Sequence, residues 1–319
     1  MARQRETKRT IYWALAGNLL IAVTKLIAAV YTGSSAMLSE AVHSLIDTGN
    51  EVLLLYGLHR AALPPDLANP FGHGRELYFW SFIVAVLIFA LGAGVSFYEG
   101  VAHILDPHPI QDVYVTYVVL GLSALFEGSS WWVAFREFRR RKGNLGFVEA
   151  VLRSKDPTIF TVLFEDSAAL IGLAMAFLGI LAAQLLGEPV FDGVASIAIG
   201  LLLALTAIFL ARETKSLLIG EPASARLQKS VLELVAKDPA IQRANGVLTV
   251  HLAPDQIVVA LSAEFKDQMR TPEIEASVER IEASLAAAHP EIRALFIKPQ
   301  TAEKWLSRRQ RLEAAAEEA

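Results

Sequence analysis

The sequence predicts an α-helical membrane domain of six transmembrane helices followed by a small α+β domain. Three observations carry this reading. Of 319 residues, 54% are hydrophobic and only 19% are charged, with a mean hydropathy of +0.41, the composition of an integral membrane protein. Apolar stretches at about 11–31, 36–60, 77–105, 112–136, 158–186 and 190–211 are each long enough for a bilayer helix. From about residue 213 the long apolar runs give way to short alternating segments and amphipathic ones. The boundaries expected are therefore 1–212 for the membrane domain, 213–300 for the α+β domain and 301–319 for a charged helical tail.

Taken in order, the basic N-terminal flank has the look of a signal-peptide n-region, but the apolar run behind it is too long for one. It is expected to be a cytoplasmic flank. The connections after spans one, three and five contain no Lys or Arg. The basic residues gather in the N-terminal flank, in the 60–76 loop (Arg60, Arg75), in the 136–155 loop (Arg136, Arg139, Arg140, Arg141, Lys142, Arg153, Lys155) and after span six (Arg212, Lys215). The positive-inside rule puts both termini in the cytoplasm, and the bacterial inner (plasma) membrane is the expected location. Net charge is −4, which gives no reason to expect nucleic acid as a partner. With no cysteine, disulfides, zinc fingers and thiol redox chemistry are excluded, and any metal must be held by oxygen and imidazole.

Beyond 213, a helix is expected over 224–237, ended by Asp238-Pro239. Strands are expected at Val247–His251 and Gln256–Phe265, about a Pro254-Asp255 turn. A second helix over about 272–288, with Thr271 as cap before Pro272, leads to a short strand at Ala294–Ile297. The order αββαβ predicts a two-layer domain of ferredoxin-like type on the cytoplasmic side.

Chemistry concentrates in span two. On a helix, Glu40, His43, Asp47 and Glu51 fall within about 80° of one another, so four ionisable groups share one stripe of an apolar element. A soluble amphipathic helix with solvated charges is the ordinary explanation, but the neighbouring apolar segments argue against it. In a membrane such residues mark a polar pathway facing the bundle interior. His43 and Asp47 stand one turn apart, close enough to share a divalent metal. Span five supplies a second half-site, Glu165-Asp166. Neighbours on a helix point about 100° apart, so one acid only can face span two squarely, and Asp166 is chosen. Val162, one turn earlier, cannot bind metal. His43, Asp47 and Asp166 leave an open position for water, Glu165 or a carbonyl. Such a mixed nitrogen and oxygen site suits zinc first, with manganese, cobalt or iron as other cargoes. No cofactor is expected beyond the transported ion.

The segments together resemble the cation diffusion facilitators, a family of proton-coupled divalent-metal exporters. The likeness runs through Asn18 and Lys25, the run from Gly33 to Asp47, and the run from Pro70 to Glu76. It continues with Tyr98-Glu99-Gly100, Leu105 to Ile110, and Phe191 to Ser196. Glu165-Asp166-Ser167-Ala168-Ala169 looks most like the branch of zinc transporter nine. The resemblance implies a homodimer that carries the metal between spans two and five by alternating access, in exchange for protons. Family members usually have a His or Asp where this chain has Val162, so the usual four-ligand set is incomplete. Some relatives bind further metal in the loop after span two and in the cytoplasmic domain. Here Asp66 and His73 supply part of the first site, and His251 and His289 are the histidines available for the second.

Ordinary roles compete for several of these residues. His73 suits a structural loop position, His251 and His289 the domain surface, and His59, His103 and His108 the membrane interface. Lys25, Glu40, Glu51, Glu99 and Glu127 are expected as buried charge partners or helix-end anchors, because unpaired charge at that depth is costly. Asp192 is expected to cap its own helix. The leading function is export of a divalent cation against proton entry. The alternative is a non-transporting metal-sensing or scaffolding protein of the same fold.

Overall fold

The computed structural model describes residues 2–142, 146, 150 and 155–317. Arg153, counted above among the basic loop residues, lies outside the described residues, as do Met1 and the last two residues of the tail. Contacts divide the chain into two units, Met1–Arg60 with Glu76–Lys215, and Ala61–Arg75 with Ser216–Ala319.

The first unit is built from long helices: α1 (Ala2–Thr32), α2 (Ser35–Ala61), α3 (Glu76–Leu105), α4 (Val113–Lys142), α5 (Pro157–Leu186) and α6 (Val190–Ile219). Among the described residues, four stretches meet the length and apolarity of a membrane span, within α3, α4, α5 and α6. The other two expected spans fall in α1 and α2. Within α1 the apolar stretch recognised among the described residues is Asn18–Thr32, and α2, although 27 residues long, is interrupted by Glu40, Asp47 and Glu51. α4 and α6 run past the apolar limits read from sequence.

Helix ends follow local chemistry. Gly33 turns the chain between α1 and α2 at φ 72°, in the left-handed region that favours glycine. At the start of α5, Asp156 accepts a hydrogen bond from the Thr158 amide (3.2 Å) with Pro157 next to it, and Gly187 ends the helix in a left-handed conformation. α3 contains a π-helical stretch, Ile88–Ala93. It packs closely on α6: a Cβ on Gly100 would fall 2.7 Å from the Gly193 carbonyl oxygen.

The second unit has α7 (Ala225–Val235), β1 (Ile241–Ala253), β2 (Gln256–Phe265), α8 (Thr271–Ala288), β3 (Ile292–Pro299) and α9 (Ala302–Glu317). The sheet order is β1-β2-β3, antiparallel then parallel. Ile257, Val259, Leu261 and Ala263 alternate onto one face of β2 and form a core with Val231 and Val235 of α7 and Ile281 and Leu285 of α8. β1 starts earlier and β3 is longer than the sequence suggested. Thr271 is the first helical residue of α8 rather than its cap. The cap is Arg270, whose amide donates to the Glu273 carboxylate at 2.7 Å. The 61–75 loop belongs to this unit, with Phe71 edge-on to Phe296 (6.2 Å between ring centres).

Asp238 ties α8 to the start of β1. Its carboxylate accepts from the Ala240 amide (2.9 Å), the Ser277 hydroxyl (2.9 Å) and the Arg280 guanidinium (3.0 and 3.2 Å). Burial pushes this carboxyl up, but the donors from Arg280, Ala240 and Ser277 outweigh it and hold it below its ordinary value of 3.8. The stability it contributes is therefore complete above about pH 4 and is lost as pH falls through the folded-state value. Asp238→Ala is expected to destabilise a fragment of residues 216–317 by about 2 kcal/mol at pH 7. Urea unfolding followed by circular dichroism should show that difference shrinking towards pH 3.

Candidate metal centre

α2 carries its acids because α1 and α4 answer them. The Lys25 ammonium, fully buried, donates to the Ser44 hydroxyl (2.7 Å) and lies 3.3 Å from the Glu40 and 3.5 Å from the Glu127 carboxylates. Asn18 donates to Glu51 at 2.6 Å. Lys25, Glu40, Glu51 and Glu127 are thus the charge and hydrogen-bond partners the sequence suggested, and Glu99 is half-buried on α3. Glu40 also brings α2 against α5, since its Oε1 occupies the space a Cβ on Gly172 would need.

Between the two compensated acids, the polar groups are left open. His43 is 1% exposed, and its Nδ1 lies 3.4 Å from Asp47 Oδ1 without forming a hydrogen bond. Among the described residues, ten buried side-chain nitrogen or oxygen atoms have no hydrogen-bond partner. Five of them are on one stretch of α2: Glu40 Oε1, His43 Nδ1 and Nε2, Asp47 Oδ1 and Asn50 Oδ1.

α5 meets this stretch through Glu165. Asn50 donates its Nδ2 to Glu165 Oε1 at 2.8 Å, with both residues buried. Asp166, one residue and about 100° further round, instead accepts from the Ser130 hydroxyl of α4 at 2.9 Å. Glu165, rather than Asp166 as chosen from the sequence, makes the hydrogen bond to α2. Val162 is half-buried and has no donor atom. Among the described residues, no three His, Asp or Glu side chains converge closely enough to hold a metal. Asn50 was missed in the sequence. The available signal was its place seven residues after His43, about 20° away on the helix and nearer that direction than Glu51.

The profile of the cation efflux transmembrane domain matches residues 11–219. The chain is 36% identical over 249 residues to the proton-coupled zinc antiporter SLC30A9, mitochondrial, of Xenopus laevis, covering 77% of this chain and 44% of that protein. It is 32% identical over 265 residues to the human protein of the same name, covering 82% and 47%. This chain belongs to the cation efflux family, the cation diffusion facilitators. It falls in the branch similar to SLC30A9. Metal tolerance protein C4 of Arabidopsis thaliana is 31% identical over 267 residues, covering 83% of this chain and 58% of its own length. The chain thus spans about half the length of the curated relatives it matches.

Away from the centre, this cation efflux protein departs from two sequence expectations. Asp192, fully buried in the first turn of α6, does not cap its own helix. Its carboxylate accepts from the Ser34 hydroxyl (2.7 Å) and the Ser35 amide (2.6 Å) and so caps the N-terminus of α2. His103 is not an interfacial residue but a buried one, 3.2 Å from Asp192 and 3.0 Å from the Ser35 hydroxyl. His108 and His59 are exposed.

The accessory candidates occur as separate small groups. His73 and Asp66 pair at 3.1 Å, and the Asn69 amide, donating to Asp66 at 2.6 Å, holds that carboxyl below its ordinary range. His251 is buried rather than at the surface, 3.2 Å from the Ala253 carbonyl. His289 contacts Ser230 (2.8 Å) and lies 3.4 Å from Glu291.

Because Asp192 holds another helix rather than its own, Asp192→Ala should leave α2 with unsatisfied amides. The expected result is a loss of about 1–2 kcal/mol, seen as a lower midpoint in detergent thermal unfolding. Zinc over manganese preference should stay unchanged in the folded fraction.

Proposed function

We propose that this chain is a homodimeric secondary transporter that moves a divalent cation, zinc first, out of the cytoplasm in exchange for protons. The observation that carries the reading is the row of five buried polar atoms on α2 that have no hydrogen bond. Buried groups without partners are costly and uncommon in folded proteins, and each such group calls for an explanation. A cation at this row would supply the missing partner to an imidazole nitrogen and to anionic or carbonyl oxygens at once. Metal and proton compete for the same lone pairs, so binding one releases the other, which is the physical basis of exchange. The names of the SLC30A9 relatives and of metal tolerance protein C4 support the same assignment.

In this reading α1 and α2 complete a six-span unit, and both termini lie on the cytoplasmic side, where the basic loops gather. Cargo is held by His43 and Asp47 of α2 and by the acidic pair of α5, with Glu165 nearest. Lys25 balances charge beside Glu40 and Glu127 and Asn18 hydrogen-bonds Glu51, which leaves His43 and Asp47 without a cationic partner at the centre.

Flux of zinc into proteoliposomes, with and without a pH gradient, tests the function. Wild type should transport faster with the gradient. Asp47→Ala and Glu165→Ala should each reduce flux at least tenfold at unchanged folding, and Glu165→Ala should cost more than Asp166→Ala. Zinc binding by wild type without flux would instead support the sensing or scaffolding role. Calorimetry adds a second check, in which Val162→His, restoring a donor one turn before the span-five acids, should tighten zinc binding.

A further inference from the structure

We propose that Asn50 is itself an oxygen donor to the transported cation and that its amide nitrogen positions Glu165, so that the cargo site includes Asn50 alongside His43, Asp47 and Glu165. This inference rests on the transport reading above. The orientation of the amide is set by its partner. Glu165 Oε1 accepts at 2.8 Å, so the NH2 group faces the carboxylate and the carbonyl oxygen faces away from it. That oxygen is buried and has no partner, on a residue only 1% exposed. An amide present merely to bridge two helices would have no need of a desolvated, unanswered carbonyl oxygen.

Its place on the helix fits a ligand. His43, Asp47 and Asn50 occupy positions i, i+4 and i+7, within about 60° of one another on α2. α5 offers Val162 where a further donor would fall, and Asn50 makes up the deficit from the opposite helix. These four residues supply one nitrogen and three oxygen donors, two of them carboxylates. Such a set serves zinc, and its oxygen-rich character also admits harder ions such as manganese. Asn50 therefore influences selectivity as well as affinity.

The test uses the purified full chain in detergent, with zinc and manganese as separate probes in calorimetry, followed by flux in proteoliposomes. Asn50→Ala is expected to weaken binding of both ions by about 10–100-fold, with the larger loss for manganese, because zinc accepts three protein ligands and a water more readily. Asn50→His exchanges an oxygen for an imidazole and should raise the zinc-to-manganese affinity ratio by about tenfold. If Asn50→Ala fails to fold, the ratio in Asn50→His decides. An unchanged ratio in a folded variant would make Asn50 a structural bridge only and overturn the inference. Wild type that neither binds nor moves either ion would instead remove the transport reading, leaving the two failures distinguishable.

Discussion

The membrane unit depends on one buried ammonium. Moving a carboxylate out of water costs several kcal/mol even after the protein relaxes, and α2 brings three acids into an apolar helix. Lys25, with Ser44, Glu40 and Glu127 around it, offsets that cost at one end of the stripe, and Asn18 answers Glu51 at the other. Without these contacts the flanking acids would seek the central histidine or be neutralised by protons. With them, the central groups can remain unpaired. The open row on α2 is thus a product of the compensation around it, and Lys25→Met should be read as damage to the site's electrostatics rather than as loss of a ligand.

Much of this was legible in the sequence, and the misses have common causes. Helix positions were clear because long apolar runs leave little room for another structure, and Gly33 and Asp156-Pro157 mark their own turns. The stripe on α2 was visible from spacing alone. Which of Glu165 and Asp166 meets it was not, because spacing along α5 gives relative direction but not absolute rotation, and that is set by packing such as Gly172 against Glu40. Asp192 was misassigned for a related reason. Sequence proximity suggests that an acid in a first turn serves its own helix, whereas the amides it satisfies lie some 157 residues away. Asn50 was passed over because it carries no charge, although the geometry that singles out Asp47 also includes it.

The second unit shows how a helix-and-sheet domain can be compact with few residues. Alternation on β2 puts four apolar side chains on one face, and α7 and α8 cover them. The 61–75 loop joins this unit through Phe71 and through Gly74, which allows the Ala253 region to approach. A segment that in sequence joins α2 to α3 thereby belongs, in its contacts, to the second unit.

The cap that Asp192 provides for α2 also limits how this protein can change shape. The Ser39 and Ser196 hydroxyls are hydrogen-bonded, and Ser196 donates onward to the Ser96 carbonyl of α3 (2.8 Å). Arg60 at the far end of α2 is 2.8 Å from Glu76 at the start of α3, and α3 meets α6 glycine to glycine. α2, α3 and α6 are therefore riveted into a single block at both ends of α2. This block meets α5 through the hydrogen bond between Asn50 and Glu165, so under the proposed transport the same pair of side chains would be both doorway and clasp.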